Sequence, residues 1–165
     1  NYYLPNTRSS IFNAKLYLTP APLLMASEDI VKAMEQEPSV KQIRHMATLA
    51  QMSIVGIGGV DSNATLLTNG TLNHSDVLLL SMQGAVGDML CHFIDKDGNV
   101  IQSSLERRLM STSLEQLKEM NNSIGVAGGN TKAEAILAAL KGKYLDVLIT
   151  DETTASNVLR LKNQE

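Results

Sequence analysis

The sequence predicts an α/β fold in one domain: a mainly parallel, Rossmann-like sheet flanked by helices. Three observations carry this expectation. Strand-like and helix-period segments alternate over most of the chain, the pattern of parallel strands joined by helices. Short apolar segments run into glycine-bearing ends at residues 56–59, 84–88 and 125–132. The chain has 165 residues, 44% of them hydrophobic and 19% charged, which suits a single domain with a real core.

The elements follow in order. Residues 1–13 show no clear period and no initiating methionine, so upstream sequence is expected to be missing. Residues 15–18 read as a short strand, closed by Thr19-Pro20-Ala21-Pro22. Ser27 is a helix cap, with Glu28 and Asp29 in the first turn, where the helix dipole favours acids. That helix extends to about Gln36. Pro38 opens a second helix, in which Ile43, Met46, Ala47 and Ala50 share one face. Residues 52–57 are short and apolar and precede Gly58-Gly59, which predicts a buried parallel strand. Residues 63–67 and 75–82 fit helices, although Val77-Leu78-Leu79-Leu80 also fits a strand.

Residues 84–94 lead into Asp95-Lys96-Asp97-Gly98-Asn99, a tight-turn sequence, and Val100-Ile101 returns. This predicts an antiparallel hairpin near 86–101. Ser113 caps a helix carrying Leu114 and Leu117, with Gln116 completing a capping box. The remainder reads as strand 124–127, helix 130–140, strand 146–150 and helix 151–161. Ala133, Ile136, Leu137 and Leu140 form the buried face of the first of these helices, and Met82 and Met89 read as core.

Composition excludes several classes. Net charge is −3 and no basic patch stands out, so this chain alone is a poor nucleic-acid binder. With no Trp and 4% aromatics it has no stacking platform for single strands. One cysteine, Cys91, rules out an internal disulfide and argues against a cysteine-based zinc site. His45, His74 and His92 lack metal-ligand spacing, so no metal and no cofactor is expected. Sequons at Asn63, Asn69, Asn73 and Asn121 occur with no signal peptide, and no apolar run is long enough to span a membrane. The expectation is a soluble cytoplasmic domain.

In open α/β sheets ligands bind beyond the strands' carboxyl ends, which directs attention to the glycine-bearing ends. In "GVAGGNTKAEAILAAL" (125–140), Gly128-Gly129 allows close backbone approach and Asn130 can cap the helix. Lys132 then falls in the first turn, where a cation opposes the helix dipole unless an anion is bound there. Neither G-x-x-x-x-G-K-[ST] nor G-x-G-x-x-G is completed, so nucleotide binding has no support. Asp88, after Gly84-Ala85-Val86-Gly87, can accept hydrogen bonds from vicinal hydroxyls or simply cap the turn. Cys91 and His92 are neighbours whose side chains diverge on a strand, so they do not form a catalytic pair. Cys91 reads as core, and Thr150 to Thr154 as the cap of the last helix.

Two segments, "GAVGDMLCHFIDKDGNVI" (84–101) and "GVAGGNTKAEAILAALKGKYLDVLITDETTASNVL" (125–159), resemble the effector-binding domain of the SorC family of bacterial sugar-responsive transcription regulators. "TPAPLLMASEDIVKAM" and "SIVGIGGV" match the segments expected before them, so the resemblance covers residues 14–161. It implies the sugar-isomerase and CoA-transferase α/β fold. It also implies a sugar or sugar-phosphate effector that changes oligomerisation, as a dimer or tetramer, and operator-DNA affinity. Carried over residue by residue, it makes Asp88 and Lys132 effector contacts and places Leu90 in the same pocket, with Gly87, Gly128 and Gly129 as candidate pocket wall. Family members carry an N-terminal helix-turn-helix domain that is not in this sequence. Their glycine/serine/threonine-rich phosphate loop is also not found here, and Arg8-Ser9-Ser10 is the candidate for part of that wall. The rival reading is a sugar-phosphate isomerase on the same fold, with Asp88 as general base and Lys132 as electrophile.

Overall fold

The computed structural model describes residues 11–61, 65–68 and 70–164. Arg8, Ser9, Ser10, Asn63 and Asn69 lie outside them. Helix α1 (Glu28–Gln36) starts at Ser27, whose Oγ accepts from the Ile30 amide at 3.4 Å. Helix α2 (Pro38–Thr48) has its proline in the first turn, where the missing N–H costs nothing. Then come β1 (Ser53–Gly59), the single turn α3 (Thr65–Thr68) and α4 (His74–Met82). Asn73 and Asp76 close a capping box at the start of α4. They are followed by β2 (Ala85–Met89), β3 (His92–Asp95), α5 (Leu114–Glu119), β4 (Ser123–Val126), α6 (Ala133–Lys141), β5 (Val147–Ile149) and α7 (Glu152–Lys162).

The strands form one sheet in the order β3-β2-β1-β4-β5. β1, β4 and β5 are parallel, in register from Ser53↔Ser123 to Gly56↔Val126 and from Ile124↔Val147 to Val126↔Ile149. β2 joins β1 antiparallel, with Ile57↔Met89, Gly58↔Asp88 and Gly59↔Gly87, and β3 joins β2 antiparallel. The main core lies between this sheet and α6: Val55, Ile57 and Met89 meet Ala135, Ile136 and Ala139, and Val158 of α7 closes the layer. Gly87 makes this close packing feasible, because a Cβ there would collide with Ala135. A smaller cluster of Leu72, Val77, Leu80, Ala85, Phe93 and Ile101 holds α4 against β2 and β3.

Several expectations are corrected. Residues 15–18 belong to no strand. The hairpin turns earlier than the Asp95–Asn99 sequence suggests: Leu90 and Cys91, at φ 52° and 69°, link β2 to β3. The expected Asp95–Asn99 turn and Val100-Ile101 return form as well: the Asp95 carboxylate accepts from the amides of Asp97 and Asn99, and the Asp95 amide donates to the Asn99 carbonyl at 2.9 Å and the Ile101 amide to the Phe93 carbonyl at 2.8 Å, on either side of the bridge Ile94↔Val100. Helix α6 begins at Ala133 rather than Asn130, because residues 130–132 form a 3-10 turn with no side-chain cap. It buries Ala135, Ala138 and Ala139 as well as the predicted stripe, whereas Leu140 reaches solvent. Val40 is the buried residue of α2; Ile43, Met46 and Ala47 are half-buried and Ala50 lies beyond the helix. Met89 is core, but Met82 is 77% exposed on α4. The strand predicted at 52–57 is buried on one face only: Val55 and Ile57 point into the core, Ile54 and Gly56 outward.

Candidate functional site

The site gathers at the carboxyl ends of β1 and β4. β1 ends in Gly58-Gly59, and the antiparallel register sets Asp88 directly across from Gly58. The Asp88 side chain lies over the glycine: a Cβ on Gly58 would collide with Asp88 Oδ1. Glycine here is therefore what lets a carboxylate rest across the strand. Asp88 Oδ2 accepts from the Cys91 amide at 3.3 Å, so the tight turn after β2 helps to hold it. Burial pushes the Asp88 carboxyl up to about 6; the Cys91 amide, the Lys132 ammonium and His92 pull in the other direction and only partly offset it.

Lys132 closes the 3-10 turn ahead of α6. The paired register of β1 and β4 stops at Gly56↔Val126, and Lys132 Nζ donates to the carbonyl of the next β1 residue, Ile57, at 2.9 Å. The ammonium is thus turned from the positive end of α6 onto a carbonyl dipole, which relieves the conflict visible in the sequence. No ion pair joins Lys132 to Asp88 among the described residues, so each retains hydrogen-bonding capacity toward a third partner.

The Gly128-Gly129 turn is fixed from α7. The Gly129 amide donates to Thr154 Oγ1 at 2.8 Å and to Asp151 Oδ2 at 3.2 Å. Asp151 also caps α7 through the Thr154 amide at 2.8 Å. The Thr154 hydroxyl and amide hold the Asp151 carboxyl below its ordinary range. This tie was only half legible: 150–154 read as a cap, but the reach of that cap to Gly129 needed the fold.

Lys132 lies near enough to Asp88 to act on its carboxyl, and the Lys132 amide donates to the Gly129 carbonyl at 3.0 Å, which ties the Gly128-Gly129 turn to the lysine. Leu90 sits in the turn, half-buried against the main core, and Gly87 faces α6. Asp61 was missed. Its Oδ2 would lie 3.5 Å from a Cβ on Gly59, so it adds a carboxylate to the same end of β1. Its only sequence signal was to break a G-x-G-x-x-G pattern. Cys91 is no nucleophile here, since burial and the Asp88 charge push its thiol up to about 12. His92 faces elsewhere, with Nδ1 on Glu106 Oε1 at 2.7 Å and Nε2 donating to the Thr112 carbonyl at 2.9 Å. Among the described residues no cluster of His, Cys, Asp or Glu is arranged to hold a metal. The arrangement suits recognition: a carboxylate that accepts from hydroxyls and an ammonium that donates to ligand oxygens.

The Sugar-bind family model, described as "Putative sugar-binding domain", matches residues 8–160. The chain belongs to that family. It is 39% identical over 147 residues to the transcriptional regulator LsrR of Klebsiella pneumoniae, covering 87% of this chain and 46% of that protein. The corresponding values for LsrR of Escherichia coli K12 are 40% over 146 residues, 87% and 46%. The chain thus spans about half the length of the curated relatives it matches.

Among solved structures, a transcriptional regulator from Streptococcus pneumoniae TIGR4 superposes with a TM-score of 0.89 at 25% identity, over 98% of this chain and 62% of that one. The full-length sorbitol operon regulator SorC from Klebsiella pneumoniae superposes at 0.81 and 25% identity, over 92% of this chain and 49% of that one. These relatives are all described as transcriptional or operon regulators. The α/β fold expected from the sequence and from its SorC-family resemblance is therefore the fold found. Among the described residues, no helix is long and apolar enough to cross a membrane.

Proposed function

We propose that residues 1–165 belong to the effector-binding domain, which extends beyond them on the N-terminal side, of a cytoplasmic transcription regulator of a carbohydrate-utilisation operon. The effector is a sugar or sugar phosphate. Asp88 accepts from its hydroxyls, Lys132 donates to its oxygens, and Gly128 and Gly129 let it approach the backbone. Leu90 contributes an apolar contact. Effector binding shifts the oligomeric state, and with it the affinity of a helix-turn-helix domain elsewhere in the protein for operator DNA, because the ligand favours one of two states.

The observation that carries this reading is the pair itself. Asp88 is an acid that burial holds uphill, set across a glycine, and it faces an ammonium with which it makes no ion pair. The family membership and the regulator relatives support it.

A thermal-shift titration of the whole protein with sugars, sugar alcohols and their phosphates tests the reading. A ligand at 100 times its Kd stabilises by about 2.7 kcal/mol. We expect one compound to stabilise the protein, unchanged in composition on recovery, and to lose its effect in Lys132→Ala and in Asp88→Ala. Stabilisation that survives both substitutions places the ligand elsewhere, and turnover of the compound would restore the isomerase reading.

A further inference from the structure

A cavity of about 390 Å³ lies between α2 and α5 and shares no residue with the candidate site. Clefts that hold small molecules run from roughly 300 to 1,000 Å³. One wall is a face of α2, where Arg44 and Ala47 stand one turn apart; the other is a face of α5, where Gln116 and Glu119 do the same. Thr112 lies at the start of the second wall and is tied to the sheet, because its carbonyl accepts from His92 Nε2 at 2.9 Å.

Two donor groups in this lining are held by bonds that leave hydrogens over. Arg44 Nη1 donates to Glu35 Oε1 at 2.8 Å and Nη2 to the Ser111 carbonyl at 3.0 Å. A guanidinium carries five N–H donors, so others stay free to donate. Gln116 Oε1 accepts from the Ser113 amide at 3.1 Å, which fixes the side-chain amide and leaves its NH2 group for a further acceptor. Glu119 supplies a carboxylate to the same cavity, and among the described residues no ion pair joins it to Arg44 or to the neighbouring His45.

We propose that this cavity binds a free amino acid, its carboxylate on Arg44 and Gln116 and its ammonium on Glu119. The charges choose the class. A simple anion would meet the Glu119 carboxylate, a simple cation would meet Arg44, and a neutral sugar would leave both charges without an opposite. A ligand with one charge of each sign answers both walls with charge-assisted hydrogen bonds. Arg44 and Gln116 are oriented before any ligand arrives, so little ordering has to accompany binding. The inference goes beyond the sensor reading and does not rest on Asp88 or Lys132.

Isothermal titration of the full-length protein with the standard L-amino acids tests it, beside propionate and ethylamine, which carry one charge each. We expect at least one amino acid to bind saturably, and both single-charge compounds to bind at least tenfold more weakly. Ala47→Phe, which sets a ring into the cavity, and Glu119→Gln should each weaken the amino acid at least tenfold. Absence of saturable binding by every amino acid would overturn the proposal, and so would propionate binding as well as the amino acid does. Binding that survives Ala47→Phe but is lost in Lys132→Ala would place the ligand at the strand ends and overturn it too. Side-chain amide NMR of the unsubstituted protein reads Gln116 directly: its signal should move over the same concentrations, and a stationary signal would count against the site whatever the variants do.

Discussion

Replacing Asp88 by Asn should stabilise the unliganded protein while abolishing effector binding. The magnitude follows from the carboxyl's position. On an unfolded chain it titrates near 3.8; in the fold, burial raises it to about 6. The folded state therefore holds the proton more tightly, and stability falls as pH rises through the window between the two values. Below that window both states are protonated and the charge contributes nothing. Above it the full difference, roughly 2 pK units, corresponds to about 3 kcal/mol of destabilisation by an ionised Asp88. At pH 5 the same linkage gives about 1.6 kcal/mol.

Asn keeps the shape and an acceptor oxygen without the charge. Urea unfolding of both proteins should show the variant ahead by about 3 kcal/mol at pH 7.5, by about half of that at pH 5, and level with the parent near pH 3.5. Thermal-shift titration should show no effector response in the variant. A variant that is less stable at pH 7.5, or a difference that does not shrink with acid, would refute the reasoning that Asp88 is kept against the stability of the fold.

Two further outcomes follow. His92→Ala removes the ring that hydrogen-bonds both Glu106 Oε1, whose side chain is 17% exposed, and the Thr112 carbonyl, so urea unfolding should report a loss of about 2 kcal/mol; a loss under 1 kcal/mol would show that His92 does not clamp β3 to residues 106–112. The Cys91 thiol, raised from 9.0 to about 12, should react with a disulfide reagent at pH 8 about a thousandfold more slowly in the native protein than in urea, and rates within tenfold of each other would contradict its burial beside Asp88.

The sequence carried the elements that local chemistry decides. Ser27, Pro38 and Ser113 open helices as their side chains dictate, because caps and proline act within one turn. The chain order of strands and helices gave the α/β class for the same reason. What failed depends on contacts distant in sequence. Leu90-Cys91 lacks the glycine or asparagine usual in a two-residue turn, so the Asp95–Asn99 signal outweighed it, yet the pairing of β2 with β3 forces both residues to positive φ. Met82 reads as core because α4 is apolar nearly all round, and only the position of the sheet decides which side is covered.

Lys132 shows how the two levels meet. Sequence alone presented a cation at a helix start and offered one exit, a bound anion. The structure supplies another, the Ile57 carbonyl, which lies 75 residues away in the chain. That bond does not remove the ligand reading; it orients the ammonium. A carbonyl oxygen engages one of the three ammonium hydrogens and leaves the others to donate. The bond anchors the group at the end of β1, on the strand whose Gly58 lies under the Asp88 carboxylate. The two charges are thus held on one strand end by separate supports, a carbonyl for the cation and the Cys91 amide for the anion. Had they paired directly, each would have satisfied the other and a neutral polyol would have had to break them apart. Kept apart, both present unused hydrogen-bonding capacity to a molecule rich in hydroxyls and oxyanions, and the raised Asp88 carboxyl is the mark of that unpaired state.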